Sequence, residues 1–258
     1  MARFASLGSG SKGNGLIFES GSSRVLLDCG FNVRDTGARL ARLGLSPSDL
    51  SGIIVTHEHS DHVSGVFPLA RRFGLPVWLT HGTLAAILES EPAADRGLSC
   101  TIIDGDSAFS IGDAHIQPFT VPHDAREPVQ YVLSDGASRL GVITDTGSST
   151  PHIESMLSGC DALVLETNHD LDMLWGSDYP QRLKERIAGR FGHLDNGTSR
   201  RLLESLDRTK LKHVIAAHLS KKNNSAELAR AALEQALGCE PGWVGVASQD
   251  EGFAWRDC

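Results

Sequence analysis

The chain has 258 residues, enough to bury a full core as one large domain or two small ones without staples. Hydrophobic residues make up 40% and charged residues 22%, and no apolar run approaches the roughly 18 residues of a membrane span, so the composition excludes membrane-spanning and disordered classes. A net charge of −8 weighs against a broadly basic nucleic-acid-binding surface, although charge can be local. The opening MARFASLGSGSKGNG has no apolar segment of the signal-peptide kind. The five cysteines (Cys29, Cys100, Cys160, Cys239, Cys258) are scattered, odd in number and without CxxC spacing. A disulfide framework or cysteine-type zinc site is therefore not expected, and a cytoplasmic setting is.

In chain order, strand-type runs fall at Arg3–Leu7, Leu16–Glu19, Arg24–Asp28, Ile53–Thr56 and Val77–Thr80. Ala108–Val121, Val129–Leu133 and Leu140–Thr144 follow, with Asp135-Gly136 as a hairpin signal between the last two. Later strands are expected at Ala162–Glu166, Val214–Ala217 and Trp243–Val246. Helical patterns cover Val33–Leu43, Val63–Phe73, Thr83–Glu89, Pro180–Phe191, Thr198–Leu206 and Ser225–Leu237. Strand-rich blocks with helices in both halves, and no linker, predict one α+β domain over residues 1–258 with two sheets covered by helices. Composition alone does not separate this from a doubly wound α/β fold. Trp78, Trp175, Trp243 and Trp255 are expected to be core or domain-packing residues, and His81, His115, His152 and His213 to be surface or structural.

The chemistry concentrates in VTHEHSDHVSG. A buried-strand pattern, Gly52-Ile53-Ile54-Val55-Thr56, runs straight into His57-Glu58-His59-Ser60-Asp61-His62. In extended backbone, positions two apart face the same side, so His57 and His59 point together. A helix starting near Asp61 would turn Asp61 and His62 toward the same cavity. Four ligand-type side chains in six residues can serve two metals, and imidazole with carboxylate suits Zn²⁺, Mn²⁺ or Fe.

THEHSDH resembles the HxHxDH motif of the metallo-β-lactamase superfamily, whose other motifs recur in order. Asp28 in VLLDCG matches its first aspartate, His123 in TVPHDAREP its third-motif histidine, Asp145 in GVITDTG its bridging aspartate and His218 in VIAAHLS its last ligand. The resemblance implies a four-layer αββα sandwich. It also implies one metal on His57, His59 and His123 and a second on Asp61, His62 and His218, with Asp145 bridging and Asp28 supporting. The nucleophile would be a hydroxide bridging the two metals. Asp61 could also accept the proton of the attacking water.

LGSGSKGNG, ETNHD, YPQRLKERIAGRFGHLDN and AHLSKKNN resemble the YycJ (WalJ)-type exonuclease-like branch, which has Ser where this chain has Asp195. That resemblance implies a phosphodiesterase acting on DNA, 5′→3′, with two divalent ions, Zn or Mn, Fe also being admissible. A small cyclic phosphodiester or a thioester is the alternative substrate. His193 in GHLDN resembles the extra histidine of ribonuclease Z-like phosphodiesterases, which contacts the phosphate or assists the leaving group. Ser9, Ser11 and Asn14 lie in a Gly-rich loop that could bind phosphate or simply turn a hairpin, and His169 and Asn196 are further candidates to line the site. Lys221-Lys222 would add positive charge near His218.

Overall fold

The structure, a computed structural model, describes residues 2–258. The chain runs through β1 (Arg3–Gly8), β2 (Gly15–Ser20), β3 (Ser23–Leu27), α1 (Val33–Arg42), β4 (Gly52–Ile54), α2 (Ser60–Val63), α3 (Val66–Phe73), β5 (Val77–Thr80), α4 (His81–Ser90) and β6 (Cys100–Ile103). It continues through β7 (Phe109–Ile111), β8 (Ala114–Thr120), β9 (Val129–Ser134), β10 (Arg139–Ile143), α5 (Pro151–Leu157), β11 (Ala162–Glu166), α6 (Leu171–Gly176) and α7 (Gln181–Ile187). It ends with α8 (Asn196–Ser205), β12 (His213–Ala217), α9 (Ala226–Leu237), β13 (Gly245–Val246) and β14 (Phe253–Asp257).

These strands form two seven-stranded sheets, ordered β14-β1-β2-β3-β4-β5-β6 and β13-β12-β11-β10-β9-β8-β7. Both sheets share one logic. Three antiparallel pairings are followed by three parallel ones, and the change falls at β3 in the first sheet and at β10 in the second. Strands covered on both faces need near-continuous apolar runs, and VLL in β3, ALVL in β11 and VIAA in β12 supply them.

The sheets pack face to face through Phe4, Phe18, Ile54, Tyr131, Val142, Val164 and Ile215. On the outer face of the first sheet lie Leu40 of α1, Phe67 and Leu69 of α3 and Ile87 of α4. Ile153 of α5, Leu202 and Leu203 of α8 and Leu233 of α9 cover the second. The layering is helix–sheet–sheet–helix, the four-layer α+β sandwich expected. Among the described residues, no helix is long and apolar enough to cross a membrane.

Several sequence expectations need correction. The helix expected at Val63–Phe73 is interrupted, α2 ending at Val63 and α3 starting at Val66, where Gly65 passes so close to the loop after β3 that a Cβ there would lie 1.8 Å from the Phe31 carbonyl oxygen. The helix expected to reach Phe191 stops at Ile187, and the chain folds back so that the His193 N–H donates to the Ile187 carbonyl at 2.9 Å. Ala108–Val121 is the β7–β8 hairpin, turned at Gly112 with φ +56°. Trp175 and Trp243 are 45% and 40% exposed, not in the core. β6, α5, α6 and β14 were not anticipated.

Candidate metal centre and catalytic cavity

The site forms where the C-terminal ends of β3, β4, β10, β11 and β12 meet between the sheets. At β3 and β10 the pairing changes sense, and connections on either side of such a strand diverge and leave a crevice. Backbone geometry is unusual at two of these strand ends. Among the described residues, Asp28 (φ 60°) and His218 (φ 55°) are the non-glycine residues held in left-handed conformation. Such conformations cost of order 1–3 kcal/mol each, and persist where the surroundings enforce them. The end of β4 is held from the other sheet: the Val129 N–H donates to the Thr56 carbonyl at 3.0 Å, and the Tyr131 hydroxyl donates to the Val55 carbonyl at 2.7 Å.

His62, His57 and His123 each have one ring nitrogen committed, which sets the nitrogen left for a ligand. Asp28 Oδ2 lies 2.8 Å from His62 Nδ1 and accepts the Thr56 hydroxyl at 2.8 Å, while Oδ1 accepts the Thr56 N–H at 2.8 Å. His62 Nε2 is thereby left facing Asp145 Oδ2 at 3.0 Å. His57 Nδ1 meets the Thr56 hydroxyl at 2.9 Å, and its Nε2 has no partner. His123 Nδ1 donates to the Gly192 carbonyl at 3.0 Å, leaving Nε2 3.3 Å from His59 Nδ1. His218 turns Nδ1 toward Glu166 Oε1 at 3.2 Å and Nε2 toward Asp61 Oδ2 at 3.4 Å.

Glu166, at the end of β11, opens the ETNHD string, but no role was expected for it from the sequence. It is fully buried; Oε2 accepts the N–H groups of Thr146 and Leu194 at 3.0 and 3.2 Å. Oε1 lies 2.8 Å from His193 Nδ1. The signal was available, since Glu166 closes an apolar strand as Asp28 and Asp145 nearly do.

The electrostatics follow from burial and crowding. Burial drives His57 well below the usual imidazole range, helped by the neighbouring His62. Burial also opposes charge on His62, but Asp145 and Asp28 outweigh it and hold His62 well above that range. Asp61 is held at about 2 because hydrogen bonding to His218 and the charge of His62 overcome its burial. His193 is raised, Glu166 outweighing burial.

Three groups of side chains bring one donor atom each within 4.8 Å of the others: His57, His59 and His123; Asp61, His62 and His218; His57, His62 and Asp145. A fourth joins Asp145, Glu166, His193 and His218 in the same way. His57 Nε2 is buried without a hydrogen-bond partner, which is costly unless a cation completes it. This nitrogen–oxygen donor set fits divalent metal ions.

The centre opens on a cavity of about 330 Å³ lined by Ser11, His59, Asp61, Asp124, Asp145, Arg186, His193 and His218, among others. Of the remaining candidates, Ser9 accepts the His218 N–H at 2.9 Å. Asn14 touches His62 Nε2 at 3.0 Å and the Asp61 carboxylate at 3.3 Å. His169 is buried behind the site, beside Asn168. Asn196 lies outside the cavity and exchanges two hydrogen bonds with Asn224, while Asp195 caps α8. Lys222 is drawn off to Asp178 and lies over the Tyr179 ring.

A helix–sheet–sheet–helix sandwich with histidines and carboxylates converging between its sheets defines a metal-dependent hydrolase of the metallo-β-lactamase class. Residues 23–219 match the family model described as the beta-lactamase superfamily domain, and the chain belongs to that superfamily. Within it the chain falls in the YycJ/WalJ branch. It is 36% identical over 236 residues to Exodeoxyribonuclease YycJ of Bacillus anthracis, covering 91% of this chain and 88% of the relative. It is 32% identical over 245 residues to Exodeoxyribonuclease WalJ of Streptococcus pneumoniae, covering 95% and 91%. The metallo-beta-lactamase fold protein YhfI of Bacillus subtilis has the same fold, with a TM-score of 0.75 and 17% identity over 99% of this chain and 98% of that one.

Proposed function

We propose that this protein is a binuclear metal-dependent exodeoxyribonuclease that removes nucleotides 5′→3′ from DNA ends. The observation that carries the reading is the joint opening, on one cavity, of the histidine–carboxylate centre and the Glu166-supported His193. The relatives named as exodeoxyribonucleases along most of the chain support the DNA substrate. His57, His59 and His123 would hold one cation and Asp61, His62 and His218 the other, with Asp145 between them. The donor set suits Zn²⁺ or Mn²⁺, with Fe also admissible. Bound cations would polarise the phosphate and make water a usable nucleophile near neutral pH.

The chain's own groups divide the remaining work. Asp61, a carboxylate held at about 2, is a weak base and serves mainly to orient the attacking water. His193 carries a proton on the nitrogen away from Glu166 and delivers it to the departing oxygen. Ser11, at the cavity wall, is placed to donate to a phosphate oxygen. The five cysteines are unpaired, which supports a cytoplasmic setting.

The test is nucleotide release from end-labelled linear duplex DNA supplied with Mn²⁺ or Zn²⁺, wild type beside Asp61→Ala. Mononucleotides from wild type alone are expected, the 5′ label leaving first. No release with either metal would overturn the DNA reading.

A further inference from the structure

A cavity of about 330 Å³ is at the small end for a ligand pocket and has room for little more than the nucleotide being cut. The rest of a strand must lie on the surface outside it. One wall of the cavity is made by α7 and the turn after it, through Leu183, Arg186, Ile187 and Gly192. Between Tyr179 and Gly192 the sequence has Arg182, Lys184, Arg186 and Arg190 against the single acid Glu185, in a chain whose net charge is −8. Lys184 is turned inward, donating to the Trp175 and Ser177 carbonyls. Arg182, Arg186 and Arg190 are exposed.

Arg182 and Arg186 are four apart on α7 and so share a face. Arg186 is held against the cavity by Asp124. Arg182 and Arg190 have no carboxylate partner among the described residues. Arg190 lies over the ring of Phe191 at 4.6 Å, and Phe191 is 46% exposed although its carbonyl anchors the Asp124 N–H at 2.9 Å. Guanidinium groups beside an exposed aromatic ring, at the rim of a phosphodiester-cleaving cavity, match what a single strand needs: cations for phosphates and a platform for a base.

We infer that Arg182, Arg190 and Phe191 form a strand-binding track that holds the DNA continuing beyond the cleaved nucleotide. This rests on the nuclease reading above. Arg182 and Arg190 contact backbone phosphates, Phe191 stacks on a base, and Arg186 marks where the track enters the cavity. The track also reconciles a DNA substrate with an acidic chain, because the positive charge is local.

The test compares kcat/KM on a thymidine 12-mer and on a thymidine dinucleotide, over a salt series with Mn²⁺ present. Wild type is run beside R182Q/R190Q, F191A and the charge-matched control R72Q/R96Q, whose exposed arginines lie in α3 and in the turn after α4, with metal content checked throughout. Wild type is expected to prefer the 12-mer. F191A should lower the 12-mer-to-dinucleotide ratio roughly 5- to 150-fold, the range of one lost base stack. R182Q/R190Q should lower that ratio too, and should flatten the logarithmic salt slope by about 1.4, two single-strand phosphate contacts. Equal losses on both substrates, or losses no larger than in the control, would overturn the track. So would wild-type cleavage of both substrates without length preference, which leaves the nuclease reading standing. Cleavage of neither by a wild type that still cuts end-labelled duplex overturns the track alone, and a wild type that cuts none of the three removes the nuclease reading and the track with it.

Discussion

Asp28 shows how one side chain sets the site without facing the cavity. Its two oxygens take the Thr56 N–H, the Thr56 hydroxyl and the His62 ring, so one carboxylate fixes the start of the histidine loop and a tautomer. His193 is the complementary case, a group that faces the cavity and is set by the buried Glu166. Loss of its proton-donating ring in His193→Ala should lower kcat on DNA by ~10²–10⁴-fold with metal content intact. The loss should shrink on bis(p-nitrophenyl) phosphate, whose leaving group needs no proton, and equal losses on both substrates would rule out the proton-donor role. Of the seven expected metal ligands, His57, His59, Asp61 and His62 share one motif of fixed spacing and Asp145 and His218 close apolar strands, and donor atoms of all seven fall into the close groups. Glu166 was harder to read, since its partners His193 and His218 are 27 and 52 residues away in sequence.

At the scale of elements, β1, β2 and β3 are tied by a charge network. Arg3 and Arg24 each donate to a different oxygen of Glu19, at 2.5 and 2.6 Å. Burial raises the Glu19 pKa, but the two guanidinium groups more than offset it, so the folded value lies below the unfolded one. A lowered carboxylate pKa gives stability that is present above the unfolded value, near 4.3, and fades as pH falls through the folded value. Glu19→Gln should therefore cost about 1–2 kcal/mol at pH 7, with the deficit closing below about pH 4, as read by urea unfolding at several pH values. Most strands were legible for the same reason that they are buried: their apolar runs are continuous. β6 was not, because it is a short edge strand with exposed Thr101 and Ile102. The break between α2 and α3 depends on contact between Gly65 and a loop more than thirty residues earlier, which no local pattern carries.

Over the whole molecule, the two sheets share one apolar core and clasp the site between them. Cations that bind only the folded chain stabilise it by mass action, about 2.7 kcal/mol at a hundredfold excess over Kd. For a chain of this size that corresponds to a rise in Tm of roughly 5–10 °C with Zn²⁺ or Mn²⁺ added after chelation. Differential scanning calorimetry with and without chelator would check it, and an unchanged Tm would argue against a site made only by the folded state.

The proposed ligand groups are also divided in sequence. His57, His59, Asp61 and His62 precede β6, whereas His123, Asp145 and His218 follow it, and each of the two proposed cation sites draws on both stretches. During synthesis, the first hundred residues leave the ribosome with four donors and no complete set. Loading of the full proposed pair of cations would then wait until His218 has emerged and β12 has docked, since a site spread over both stretches exists only once they fold together. A nascent or truncated chain would neither hoard metal nor cut DNA.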